Sequence, residues 1–387
     1  MRKETAMIAT AFIMTVGLVG CNHSDTPEEL IKVDTSASYP EKKLILQDFM
    51  DVEYIPLETN DEFITQGGVM AVGKKCLLVK NWVNDGDIFV FDRATGKGIK
   101  KINRKGQGAE EYTFINDIIL DEDRNEIFVN SSQSKTIQVY DLQGNYKRTL
   151  KHVDGMQYFN VFDFDKDNLI CYDISVFEMD GKAKDRPSFH SIVSKLDGSV
   201  TQQISIPFEV VKAPMLKEGD GVASTIILSI IPCEKDWLLV ETSTDTVYRY
   251  STKDQKLKPF LVKTDNGDSE MFLTMGVITN HYYFIDLIKK KFDFATGRGF
   301  PLFGLMYDKQ ENALFSPVVC NGDYVNERKV SMSSSLIGEG VANYQRLAAD
   351  RLVEALEKNE LKGQLMEIAT QLDEESNPVI MLMKYKQ

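Results

Sequence analysis

Ile115 to Asn130 reads INDIILDEDRNEIFVN: an apolar run, a polar turn and a second apolar run. The second run, Ile127-Phe128-Val129, has no alternation, which is how a strand buried on both faces reads. The same unit recurs along the chain. It appears at Val69 to Lys80 (VMAVGKKCLLVK), Phe159 to Asp173 (FNVFDFDKDNLICYD), Ile226 to Glu241 (IILSIIPCEKDWLLVE), Phe272 to Asp286 (FLTMGVITNHYYFID) and Leu305 to Val318 (LMYDKQENALFSPV). A looser hairpin follows most copies: Ile88 to Ile102, Ile137 to Leu150, Ile192 to Ile206, Val247 to Leu261, and a truncated one at Phe292 to Pro301. Asp-x-x-Gly or Thr-Gly at its turn supplies the positive φ that a tight hairpin needs.

Four strands per unit, repeated every 45 to 50 residues or so, are the signature of a propeller blade. Six first units imply an all-β, six-bladed β-propeller; a stack of sandwich hairpins without radial closure is the alternative. Blade three carries insertions at Phe177 to Ser188 and Phe208 to Ser224. No outer hairpin follows Val318. From Val341 to Leu372 the apolar residues fall at helical spacing, predicting a helical insert over about 339–375 that packs on the propeller. Pro378 ends it, and Val379 to Tyr385 (VIMLMKY) reads as a closing strand over 379–386. Val52 to Leu57 also reads as a strand. Pairing it with the closing strand would join the two ends of residues 41–387 in one blade and remove exposed edges.

The start of the chain is an address. Arg2 and Lys3 precede an uncharged stretch, Thr5 to Gly20, too short for a retained span and suited to a secretory signal. It ends in Leu18-Val19-Gly20-Cys21, which resembles the bacterial lipoprotein box, so residues 1–20 are expected to be removed and Cys21 lipidated. Residues 21–40 read as a flexible, polar tether. The acidic content of that tether resembles surface-export tethers of some Gram-negative lipoproteins; a merely solvated spacer is the alternative.

The 387 residues carry 45 basic and 58 acidic side chains, a formal charge of −13. Losing Arg2, Lys3 and Glu4 with the signal leaves 43 against 57, or −14. Nucleic acid is therefore not an expected partner. The membrane link is expected to be lipid at Cys21, with no general adhesion of the body to an anionic surface. Cys76, Cys171, Cys233 and Cys320 permit two disulfides, but three lie in or beside apolar runs and read as buried thiols. There is no C-x-x-C and no H-E-x-x-H, and no zinc site is expected.

Four segments carry a family resemblance. Val52 to Thr59 (VEYIPLET), Lys105 to Tyr112 (KGQGAEEY), Thr244 to Tyr250 (TDTVYRY) and Asp373 to Val379 (DEESNPV) resemble the opening strand, K-G-x-G-P-G-E-Y connection, S-D-T-I-Y-R strand and ending of a family of six-bladed β-propeller lipoproteins of unknown function from Gram-negative bacteria, relatives of the NHL and TolB-like propellers. Ala109 and Glu110 replace that family's Pro-Gly. The resemblance implies a fold and a cell-envelope location, and no reaction.

In a propeller the loops joining blade to blade and second strand to third share one face, where function usually sits. Candidates there are Asn81, Trp82, Arg104, Lys105, Gln107 and Tyr112, with Asn116, Asp117, Asn130, Tyr172, Asp173, Glu241 and Asp286 ringing the channel mouth. Trp82 could stack on a sugar or peptide ring, or pack at the rim; Trp237 reads as core. Gly106 and Gly108 could turn backbone amides toward an anion, or merely turn the chain. Two functions remain open. One is an envelope-anchored binding or scaffold module for a glycan, peptide or envelope protein, without catalysis and without a cofactor. The other is a calcium-assisted hydrolase or lyase resembling lactonase propellers, with Asn116, Asp117, Asp173, Glu241 and Asp286 as oxygen ligands.

Overall fold

The computed structural model describes residues 30–175, 189–264, 270–335, 337–338 and 340–386. It is a six-bladed β-propeller. Blade one is the antiparallel sheet Gly68–Val72, Cys76–Lys80, Asp87–Asp92 and Gly98–Asn103, in that order from the centre outward. Blade two runs Asp117–Asp121, Glu126–Ser131, Thr136–Tyr140, Tyr146–Lys151. Blade three runs Tyr158–Asp163, Asn168–Asp173, His190–Ser194, Val200–Ile204. Blade four runs Ile230–Cys233, Asp236–Val240, Thr246–Ser251, Lys256–Thr264. The second strands are buried along nearly their whole length, as their unbroken apolar runs require, because a blade is covered on both faces by its neighbours.

Blade five differs from the sequence reading. Its strands are Met271–Ile278, Tyr282–Lys289, Leu302–Asp308 and Ala313–Asn321. Leu305 to Val318 is thus its outer pair and not the start of blade six. Phe292 to Pro301 is not an outer unit either. Phe292–Asp293 and Arg298–Gly299 form a small hairpin inside the connection from second to third strand. Outer and inner hairpins of a blade share one pattern, so register in the ring had to come from packing.

Blade six is built from both ends of the chain. Met50–Pro56 pairs antiparallel with Val379–Tyr385, from Met50 opposite Tyr385 to Pro56 opposite Val379. Val341–Leu347 pairs on the other side of Val379–Tyr385. Val341 to Leu347 is therefore a strand, where helical spacing had been read. Val341 and Tyr344 pack into one apolar cluster and Ala342 and Leu347 into another, so apolar residues on both faces of the strand blur its two-residue alternation. Helices begin after it, at α2 (Ala349–Glu357) and α3 (Gly363–Ala369), and Leu352, Ala355, Leu365 and Ala369 face inward. The gap between the inner strands of blades five and one is spanned by an irregular stretch, in which Ser333 bridges Gly276 and the Ile337 carbonyl accepts the Val72 N–H.

Glycines set the seating of blade on blade. Gly96, Gly144 and Gly198 occupy the turns between third and outer strands with φ of 70°, 82° and 79°. Each turn lies on the outer strand of the blade before it. A Cβ at Gly96 would lie 1.9 Å from the Pro56 carbonyl oxygen, one at Gly144 3.0 Å from Ile102, and one at Gly198 3.1 Å from Leu150. Glycine is needed twice over, for the positive φ and for the close approach. The equivalence also places Met50–Pro56 as the outer strand of blade six. Between blades two and three, Lys195, only 1% exposed, sits 2.8 Å from both Asp121 and Asp163, so the buried cation is paired as its desolvation demands.

Part of the tether expected over 21–40 forms a strand, Ile31–Asp34. Ile31–Asp34 adds a parallel fifth strand to blade four, with Ile31 and Val33 buried, and Glu41–Ile45 does the same on blade five. The chain then passes through α1 (Leu46–Phe49) into blade six. These strands cover two sheet edges that would otherwise expose backbone donors and acceptors. Cys76, Cys171 and Cys320 are buried free thiols, and Cys233 is buried as well. Trp237 is half-buried and stacks on Phe164 with centroids 6.0 Å apart. The expected insertion at Phe177 to Ser188 lies outside the described residues, as do the signal sequence and Cys21.

Candidate functional site

The two ends of the propeller are unequal. On one, the turns between first and second strands and between third and outer strands are tight, as at 73–75, 122–125, 141–145 and 195–199. On the other lie the long connections among the described residues. These include 104–116, the hairpin of Met215–Glu218 and Gly221–Ser224, the hairpin within 290–301, and the helical insert between Leu347 and Val379. Most of the exposed large apolar side chains are on this insertion face too: Ile64, Trp82, Val83, Val222, Ile226, Leu302 and Phe303 among them.

Trp82 is 60% exposed, yet its loop is rigidly held. Asn81 Oδ1 accepts the Thr65 hydroxyl at 3.1 Å and the Gln66 N–H at 2.8 Å, and its Nδ2 donates to Asp85 at 2.7 Å. Gln66 Oε1 in turn accepts the Trp82 N–H at 2.8 Å. The indole edge passes over Gly68, where any Cβ would lie 3.5 Å from the ring. The next connection is joined to the same loop. Lys105 Nζ donates to the Asn84 carbonyl, and the Tyr112 hydroxyl donates to the Gly86 carbonyl at 2.6 Å. Trp82 and Val83 are thus exposed on a pre-organised loop joined to Lys105, and Gln107 is exposed two residues further along that connection.

Tyr112 does not contribute to that surface. It is fully buried, edge-on to Tyr140 at 6.0 Å, and burial pushes its hydroxyl up to about 12. Arg104 is turned to the blade two turn, donating to the Gly144 carbonyl at 2.9 Å. The two glycines of the Lys105 connection do not leave amides free for an outside anion. Gly108 N–H donates to the Glu111 carboxylate at 2.8 Å and Gly106 N–H to the Tyr112 carbonyl. The chain supplies its own anion there.

The polar residues expected around the channel mouth are not gathered into one set. Each is held within its own blade or against the next. Asn116 Oδ1 accepts both the N–H and the hydroxyl of Ser132 at 2.8 Å. Asp173 accepts Gln157 N–H at 2.7 Å and Ser175 through both N–H and hydroxyl. Glu241 accepts the Ser243 N–H at 3.0 Å and the Tyr172 hydroxyl at 3.1 Å, a link from blade four to blade three, and burial raises its carboxyl. Burial likewise raises Asp286, against a bond from Ser333. Tyr172, Asp173, Glu241 and Asp286 are all buried. Among the described residues no group of three or more His, Cys, Asp or Glu converges as a metal-holding set.

One network at the mouth has a definite protonation pattern. His152 Nδ1 accepts the Tyr158 N–H at 3.1 Å, so Nε2 carries the proton and donates to Asn130 Oδ1 at 3.0 Å. Asn130 Nδ2 donates to Asp117 at 2.8 Å and to the Tyr158 carbonyl at 3.1 Å. Burial holds His152 neutral, at about 3, and pushes the Asp117 carboxyl up to about 7.

Residues 22–339 match the model of a family described as 6-bladed beta-propeller, DUF5128. The chain belongs to that family. Among solved structures, a Bacteroides fragilis NCTC 9343 protein described as exported is similar at 14% identity with a TM-score of 0.60, covering 93% of this chain and 100% of its own. A member of the DUF4221 family from Bacteroides vulgatus ATCC 8482 is similar at 14% identity with a TM-score of 0.48, covering 88% and 98%. No curated protein matches. The first likeness supports the fold. Among the described residues no helix is long and apolar enough to cross a membrane.

Sequence reasoning did not single out Val222, Ile226, Leu302 and Phe303 as exposed. Leu302 and Phe303 begin the third strand of blade five, Val222 lies in the small hairpin before blade four, and Ile226 precedes the inner strand of that blade, and an apolar residue at such an edge reads like one in the core. The one local mark was the run Lys289-Lys290-Lys291-Phe292, basic and aromatic within an acidic chain.

Proposed function

We propose that this protein is an envelope lipoprotein of the NHL and TolB-like kind, a binding or scaffold propeller whose insertion face holds another envelope protein or peptide. The reading includes cleavage after Gly20, lipid at Cys21 and placement at the outer membrane, on either side of it. One observation carries the binding role: an exposed Trp82 on a loop fixed by hydrogen bonds, beside exposed Val83, Lys105 and Gln107. A rigid aromatic anchor loses little entropy on binding and suits a hot spot. A glycan stacked on the indole is the variant of this reading that the same surface would serve.

The calcium-assisted hydrolase or lyase reading draws less support, because its five candidate ligands are already engaged in separate internal bonds. Calcium raising the melting temperature, with a chelator lowering it, would favour that reading instead.

The test is capture of envelope proteins and glycans by the full chain. Trp82→Ala is expected to weaken capture by at least tenfold while melting stays within 1–2 °C or so of the parent, since an exposed side chain contributes little to folding. Capture unchanged by Trp82→Ala and by Gln107→Ala would remove this surface as the site.

A further inference from the structure

From the end of the second strand of blade five to the start of its third the chain reads Lys289-Lys290-Lys291-Phe292-Asp293-Phe294-Ala295-Thr296-Gly297-Arg298-Gly299-Phe300-Pro301-Leu302-Phe303. This stretch holds four cations against one carboxylate in a chain of net −13. Its ladder places Lys289 beside Pro301, Lys291 beside Phe300, and Asp293 opposite Arg298. Phe292 is 4.9 Å from Phe294 and 5.8 Å from Phe300, so the three rings pack on one another and stiffen the hairpin. The Asp293 carboxylate is spent internally, accepting the Ala295 and Thr296 N–H groups. Lys290 pairs with Glu270 at 3.0 Å. Lys289, Lys291 and Arg298 have no carboxylate partner among the described residues.

Apolar side chains stand beside these cations. Leu302 and Phe303 are 52% and 50% exposed, and Gly304 next to them faces open space. Phe294 meets Gly221 of the neighbouring hairpin, which brings Val222, 60% exposed, to the same rim. Exposed aliphatic and aromatic side chains with unpaired Lys and Arg around them are what an interfacial membrane contact requires. The apolar groups enter the acyl boundary and the cations meet anionic headgroups. A soluble anionic polymer would use the cations alone and leave Leu302, Phe303 and Val222 in water.

We infer that the blade five hairpin, with Val222 of its neighbour, is a contact site for a bilayer surface of anionic lipids. The overall negative charge opposes general adhesion, so the contact is confined to this rim and orients the propeller. Blade four, which bears the strand Ile31–Asp34 on its edge, adjoins it. Cys21 lies ten residue steps before Ile31, at most about 35 Å when extended, so a lipid at Cys21 would hold the same side of the ring near the bilayer. The site is argued from blade five alone and does not require that lipid.

The test uses the chain from Asn22 onward, free of the expected signal and lipid, mixed with vesicles of phosphatidylcholine alone or with 30% or so phosphatidylglycerol added. Sedimentation is expected to show binding to the anionic vesicles only, falling steeply with salt. Lys289→Glu/Lys291→Glu/Arg298→Glu should weaken it at least tenfold, and Leu302→Ser/Phe303→Ser should weaken it severalfold. Heparin serves as the soluble anionic polymer. Equal partition onto both vesicle types, binding unaffected by the triple variant, or heparin competing fully with vesicles while Leu302→Ser/Phe303→Ser binds like the parent would each overturn the inference. Melting curves confirm that the variants fold. Capture through Trp82 should be unchanged in the triple variant, so the two surfaces fail or stand separately.

Discussion

Asp117 is a carboxyl that the fold holds against its ordinary acidity. Burial raises it to about 7, while in the unfolded chain it titrates near 3.8. Between those values the folded state keeps a proton that the unfolded state has released, so stability falls as pH rises through that window. At pH 8 the cost is up to about 4 kcal/mol at 1.36 kcal/mol per unit. Asp117→Asn keeps an oxygen for the Asn130 amide and removes the charge. It is expected to melt several degrees higher than the parent at pH 8, with the gain vanishing near pH 4. Equal melting at pH 8 would show that the ionised carboxylate bears no such cost. His152 contributes with the opposite sign. Held at about 3 against 6.5 unfolded, it loses stability as pH falls through 6.5 toward 3. Neither value was legible in the chain. Asp117 was legible as a polar residue at the start of an inner strand, but its fate depends on Asn130 and His152, which only the blade brings to it.

At the scale of the element, the turn between third and outer strand does two jobs. It reverses the chain, and it seats one blade on the last strand of the blade before. The turn signals at Gly96, Gly144 and Gly198 announced hairpins, and hairpins are present. What they could not announce was the seating, because Pro56, Ile102 and Leu150 belong to other elements. Gly96→Ala is expected to cost about 2–4 kcal/mol, combining a left-handed backbone with a contact that must open. Gly297→Ala has the same positive φ but nothing within 4 Å, and should cost only about 1 kcal/mol. Thermal or urea unfolding of the two variants side by side would check this; equal costs would mean that φ alone matters and the seating does not. Val341 to Leu347 makes the complementary point. A strand covered on both faces loses the period that would distinguish it from a helix.

For the whole molecule, closure of the ring rests on Val379–Tyr385, which lies between Val341–Leu347 and Met50–Pro56. Val379, Ile380, Met381 and Leu382 are wholly buried. At about 1.5–3 kcal/mol per buried side chain, their loss is comparable with the 5–15 kcal/mol or so that keeps a typical domain folded. Deleting Val379–Gln387 is therefore expected to abolish cooperative melting of the entire domain; a truncated protein that melts like the parent would refute closure through this strand.

The repeat of apolar runs and turns determined, by itself, that the chain forms repeated antiparallel hairpins with a helical insertion before a closing strand; its count of six took Leu305 to Val318 as the opening of blade six, a place that strands from both ends of the chain fill instead. That much follows from local periodicity and turn chemistry, which are written residue by residue. Tertiary structure alone decided that Leu305 to Val318 completes blade five, that Ile31–Asp34 and Glu41–Ile45 cap outer edges, and that the polar residues of the channel mouth are spent on one another. It also decided which loops stay exposed, setting Trp82 and the blade five hairpin apart from the buried Tyr112 and Asp173. The reason is physical: strand period is local, whereas burial, pairing partner and exposed surface depend on residues brought together from distant parts of the chain.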